Sequence, residues 1–163
     1  NIPLQRRREE EERRMRISIG SDHAGFEQKQ QLVSYLQEKG YEVIDRGPNS
    51  DERVDYPDYA IKVGMDVAFD RADRGILICG TGIGMSIVAN KLPKIRCANL
   101  TSTEFAELAR AHNDANVAAL SGRFVDLETN KKIIDTFLNT EFEGGRHAKR
   151  LAKILPLEAT RPL

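Results

Sequence analysis

Short apolar runs alternate with amphipathic stretches along most of this chain. Ile17–Ile19, Tyr41–Ile44, Ile76–Cys79, Ile95–Leu100 and Val117–Leu120 read as five buried strands. Between them the apolar residues return at helical spacing. Phe26, Val33 and Leu36 share one face, as do Tyr59, Val63 and Val67. Thr101 and Glu104 have capping-box spacing ahead of Phe105, Leu108 and Ala109, which predicts a helix after the fourth strand. Leu127, Ile134 and Leu138 stripe another helix, and residues 146–155 form a last one. A helix after every strand requires crossover connections and a parallel sheet covered on both faces. The expected fold is therefore α/β: three layers, α/β/α, around a doubly wound five-stranded parallel sheet.

Residues 1–14 break the pattern. Arg6–Arg8, Glu9–Glu12, Arg13 and Arg14 form charge blocks with no face to bury. The expectation is a charged extension, disordered or foreign to the natural chain, with Met15 as the natural start and residues 15–163 as a single domain. The 163 residues suffice for one core without staples. Apolar residues make up 40% and charged residues 31%, a balance that excludes a disordered or fibrous chain. Lys plus Arg equals Asp plus Glu at 25 each, so no global charge recommends nucleic acid or an anionic membrane as partner. The apolar runs are too short to span a bilayer, and no signal-peptide core opens the chain. A cytoplasmic protein is expected.

Chemistry is expected where strands end, because doubly wound sheets bind ligands beyond the carboxyl ends of their strands. The first strand ends in Gly20-Ser21-Asp22-His23-Ala24-Gly25, and the third in Cys79-Gly80-Thr81-Gly82-Ile83-Gly84. Glycines at 80, 82 and 84 let backbone N–H groups close on an anion, and the next helix adds its positive end. The loop is neither a dinucleotide fingerprint nor a Walker loop, since Met85 follows it and no Lys-Ser or Lys-Thr is present. An oxyanion hole for a small substrate fits better. Cys79 stands where strand meets loop, and a helix N-terminus favours the thiolate; buried packing is the competing reading. Cys97 lies mid-strand and reads as structural.

His23 and His112 fall at strand or helix ends expected to face the ligand, beside Asp22 and Asn113, which could fix a tautomer. Neither cysteine belongs to a CxxC or Cys/His pattern, and no histidines suggest a metal triad, so no metal or cofactor is expected. Arg146 and Arg150 stand four apart on one helical face, where paired guanidinium groups suit phosphate oxygens; a solvated basic face is the alternative. Arg123, after Ser121-Gly122, is a third candidate cation.

These segments together resemble the type B ribose-5-phosphate isomerases, of the family shared with galactose- and allose-phosphate isomerases. The matching stretches are GSDHAGF (20–26), VDYPDYA (54–60), GILICGTGIGMSIVANK (75–91), IRCA (95–98), ARAHNDANVAALSGR (109–123) and FEGGRHAKR (142–150). The resemblance implies a Rossmann-like fold and an aldose–ketose isomerase that needs no cofactor. It implies Cys79 as the base that moves the proton and His112 as the acid that opens the furanose ring. Backbone N–H groups of the loop Gly80, Thr81, Gly82, Ile83 and Gly84 would stabilise the enediolate, with Thr81 also helping in catalysis at the hydroxyls and Asn113 beside His112. Asp22 would hold sugar hydroxyls, Tyr56 would line the pocket, and His23, Arg123, Arg146 and Arg150 would gather at the phosphate. It further implies a homodimer, or a tetramer, in which His112, Asn113 and Arg123 reach the site from the partner subunit. One branch of the family uses a glutamate in the loop; Met85 stands there in this chain. The galactose-phosphate enzymes divide their motifs between two subunits, and this chain carries all of them, which favours ribose 5-phosphate over a hexose 6-phosphate such as allose 6-phosphate. A flavodoxin-like binding module has no need of this constellation, and a thiol redox protein lacks a second nearby cysteine.

Overall fold

The computed structural model describes residues 2–159, without the side chains of 10–13 and 159. Helix α1 (Leu4–Arg13) precedes β1 (Arg16–Ser21). The chain then alternates through α2 (Phe26–Glu38), β2 (Glu42–Asp45), α3 (Tyr56–Ala68), β3 (Arg74–Cys79), α4 (Ile83–Ala89), β4 (Cys97–Asn99), α5 (Thr103–Asn113), β5 (Val117–Ser121) and α6 (Leu127–Asn139). Two short helices follow, α7 (Arg146–Leu151) and α8 (Leu155–Ala159). In α1, expected to lie outside the fold, the side chains of residues 4–9 are all exposed. No helix of the described residues is long and apolar enough to cross a membrane.

The five strands form one sheet in the order β2-β1-β3-β5-β4, parallel at every pairing. This is the doubly wound, Rossmann-like arrangement expected. Chain direction reverses between β1 and β3, and this switch opens a crevice at their carboxyl ends. Strand alternation divides the core into two layers. Ile76 and Ile78 of β3 point to the face covered by Leu32, Leu36, Ala106, Ile134 and Phe137 of α2, α5 and α6. Leu77 and Cys79 point to the other face, against Ala60, Val63, Met85 and Ala89 of α3 and α4. Each fully buried Ile or Leu contributes about 1.5–3 kcal/mol, so β3 and β5 anchor the fold from the centre.

The two outer strands depart from expectation. They are edges: β2 has exposed ends and β4 is half-buried throughout, because each has a partner on one side only. β4 is also shorter than the apolar run Ile95–Leu100. The Arg96 N–H turns instead to the side chain of Asn116 (2.8 Å). On the open side, Asn90 does the work of a missing strand. Its amide accepts from the Cys97 N–H (2.7 Å) and donates to the Cys97 carbonyl (2.9 Å), which blunts the edge against pairing with another strand. Helix α5 begins one residue later than its capping box suggests. Ser102, in extended backbone, is the N-cap and accepts from the Phe105 N–H at 3.2 Å. The last expected helix divides into α7 and α8.

Candidate active site

Cys79 ends β3 with its side chain almost fully buried. Its sulfur accepts a hydrogen bond from the Gly82 N–H at 3.1 Å. Gly82 reaches that geometry at φ +85°, and a Cβ there would overlap Asn99 Nδ2, so no other residue fits without strain. The loop is pinned from β5: the Gly122 N–H donates to the Cys79 carbonyl (2.8 Å), while Ser121 Oγ (2.7 Å) and the Arg123 N–H (3.2 Å) donate to the Gly80 carbonyl. Asn99 Nδ2 bridges the carbonyls of Thr81 (3.2 Å) and Ala119 (3.1 Å). Within the loop, the Ile83 N–H donates to Thr81 Oγ1 at 3.1 Å. The result is a rigid, glycine-walled mouth with a thiol at its floor.

Beside it, Asp22, His23, Val54 and Tyr56 line an open cleft of about 550 Å³ with Arg53, Asp55, Pro57 and Asp58. Asp22 is buried, and its carboxylate accepts from the Gly25 N–H (3.0 Å). His23 Nδ1 accepts from the Val54 N–H at 3.3 Å, which assigns the ring proton to Nε2 and turns that donor outward. The Tyr56 ring packs so close to Gly84 that a Cβ there would stand 2.8 Å from two ring carbons. The cleft and the glycine loop therefore share the Tyr56 ring as a common wall. Arg123 also belongs here: its exposed side chain lies against Gly80 of its own chain. That corrects the expectation that Arg123 reaches the site from a partner, since its backbone is tied to the loop it would serve.

His112, Asn113, Arg146 and Arg150 are elsewhere. A helix that joins two parallel strands returns antiparallel to them, so α5 ends at the amino-terminal edge of the sheet. Asp114 and Asn116 there contact Arg96, just ahead of β4. His112 is thus separated from Cys79 by the length of β5. The placement of His112 at a ligand-facing end is corrected for the single chain. The segment after α6 runs to the same edge: Arg110 Nε donates to the Thr140 carbonyl (3.1 Å), and the Glu143 N–H to the Ala111 carbonyl (3.0 Å). This brings α7 beside α5, with the His147 and His112 rings stacked at 4.2 Å between centroids. Burial, with His112 and Arg146 nearby, holds His147 below the ordinary imidazole range. Glu143 Oε2 lies 3.5 Å from His147 Nε2 and 3.9 Å from His112 Nε2. Sequence reasoning passed over Glu143 and His147; their i,i+4 spacing, followed through to His112 in space, is the signal that would have found them.

A family model described as Ribose/Galactose Isomerase matches residues 17–154. The chain belongs to the ribose/galactose isomerase family. It is 48% identical to ribose-5-phosphate isomerase B of Escherichia coli over 146 residues, covering 90% of this chain and 98% of that one. Its fold superposes on the Clostridium thermocellum ribose-5-phosphate isomerase B with a TM-score of 0.88, 50% identity, and coverage of 89% and 98%. The Mycoplasma genitalium ribose-5-phosphate isomerase B, solved with bound ribulose 5-phosphate, matches at TM-score 0.86 and 44% identity, covering 90% of this chain and 98% of that one. The chain is accordingly an isomerase of this family, and the matched span holds every candidate residue above.

Proposed function

We propose that the chain interconverts ribose 5-phosphate and ribulose 5-phosphate through a cis-enediolate, in a site completed by a second copy of itself. The observation that carries the reading is the Cys79 sulfur held on the Gly82 N–H at the mouth of the β1/β3 crevice, in a family whose relatives bear that activity in their names. The thiolate takes the proton from C2 of the open-chain aldose and returns it to C1, while the hydroxyl proton passes from O2 to O1 across the cis-enediolate. Such a proton is acidic only if the developing oxygen charge is stabilised, which the loop N–H groups and Thr81 Oγ1 supply. A well-matched base contributes about 10²–10⁴-fold. Asp22 and Tyr56 hold the sugar, while His23 and Arg123 receive the phosphate.

His112 is the acid that protonates the ring oxygen when the furanose opens, with Asn113 beside it and Arg146 and Arg150 on the phosphate. All four come from the second copy, because their own chain keeps them at the far edge of the sheet. Exposed apolar residues support that partner: Ile83 and Ile87 on α4, Phe105 and Leu108 on α5, and Phe124, which is 79% exposed. They flank edge strand β4 and the loop mouth, where an isologous dimer would cover them. Incubating the chain with ribose 5-phosphate in chelator should yield ribulose 5-phosphate, and faster than it converts allose 6-phosphate to its ketose. No product, or product only after a divalent ion is restored, would overturn the mechanism.

A further inference from the structure

We propose that His112, Glu143 and His147 form a binding site for a borderline divalent cation, Zn²⁺ fitting best, whose occupation withdraws His112 from the isomerisation. The three donor atoms lie within 4.8 Å of one another. Tetrahedral Zn²⁺ with bonds of about 2.0–2.1 Å sets its donors about 3.4 Å apart. Glu143 Oε2 already stands 3.5 Å from one imidazole nitrogen and 3.9 Å from the other. His147 provides the independent sign of a ligand: its side chain is buried, and its Nε2 has no hydrogen-bond partner. That nitrogen faces Glu143.

The scaffold holds the three groups together. Buried Arg110 ties the end of α5 to the returning segment through the Thr140 carbonyl and braces the turn after α5 through Asp114 and Ala115, and Glu143 is hydrogen-bonded through its own N–H to Ala111. The stacked rings, 12° from parallel, must splay to aim both lone pairs at one ion, by rotation about soft terminal torsions. His112 and Glu143 are partly exposed, leaving an entry path and a coordination position for water. Two imidazoles and one carboxylate disfavour Mg²⁺ and Ca²⁺, which take oxygen. Arg146 and Arg150 oppose a cation, but both are exposed and screened by solvent. A nitrogen coordinated to metal has no proton to give, so the ion would block ring opening. This consequence rests on the role proposed for His112; the site itself does not.

Calorimetric titration of the full chain with Zn²⁺ should show one strong site per chain, with Co²⁺ giving visible d–d bands there. Glu143→Gln and His147→Gln should each weaken binding tenfold or more, whereas Cys79→Ala should bind as the native chain does. Equimolar Zn²⁺ should inhibit turnover, chelator should reverse it, and Glu143→Gln should retain metal-free activity with its sensitivity lost. Binding that is absent, that survives both ligand variants, or that is lost in Cys79→Ala would overturn the site and leave the isomerase reading untouched. Binding that is weakened in both ligand variants while Zn²⁺ leaves turnover unaffected would overturn the withdrawal of His112.

Discussion

Cys79 and Cys97 are the two thiols of the chain, and their surroundings differ in kind. Cys79 meets a directed N–H at the head of a glycine loop. Cys97 lies on an edge strand, where desolvation pushes its thiol up to about 12. At pH 8 that keeps Cys97 as the thiol, whereas the thiolate is the form that attacks alkylating reagents. Iodoacetamide should therefore inactivate the native chain and Cys97→Ala at similar rates, with label on Cys79 and protection by substrate. Cys79→Ala should lose at least about a hundredfold in kcat, with substrate affinity nearly unchanged. Loss of turnover in Cys97→Ala with Cys79→Ala active would reverse the assignment. The placement of Cys79 was legible in the sequence because a strand end followed by alternating glycines leaves few geometries.

At the scale of elements, the central strands were legible from their apolar runs, while the edges were not. Hydrophobicity reports burial, and β4 takes its edge pairing from the Asn90 side chain, which no periodicity reveals. The same blindness hid Lys29. Its side chain is fully buried on α2, with Nζ 2.9 Å from Asp45, and Asp45 in turn accepts from the Gly47 N–H beside the end of β1. A helical pattern marks Lys29 as polar and therefore outward, but its pairing with Asp45 exists only in three dimensions. Lys29→Met should cost about 2–4 kcal/mol, below the full value for breaking a buried pair because Asp45 keeps some solvent contact. A denaturant midpoint unchanged in that variant would show the pair to be idle. On α7, Arg146→Ala and Arg150→Ala should each weaken a phosphate-bearing inhibitor by about 1.5–3 kcal/mol, measured by calorimetry. Unchanged affinity in both would return them to a solvated basic face.

For the whole molecule, the decisive feature is that topology divides the candidate residues between opposite ends of one sheet. Asp22, His23, Tyr56, Cys79 and Arg123 gather at the carboxyl end, and His112, Asn113, Arg146 and Arg150 at the amino end. The parallel sheet expected from the sequence already implied this division, since a residue just before a strand lies at its amino end and one just after it at its carboxyl end; expecting His112 at a ligand-facing end overlooked that order. The site proposed to be shared between copies can be tested by mixing. Cys79→Ala and His112→Ala homodimers should each be nearly inactive on cyclic ribose 5-phosphate. Unfolded and refolded together, they should form heterodimers in which one site carries both lesions and the other carries neither. The account predicts that activity returns, approaching one working site per heterodimer. Mixtures that stay inactive, with heterodimers confirmed by mass, would contradict it and place Cys79 and His112 in the same site of a single chain.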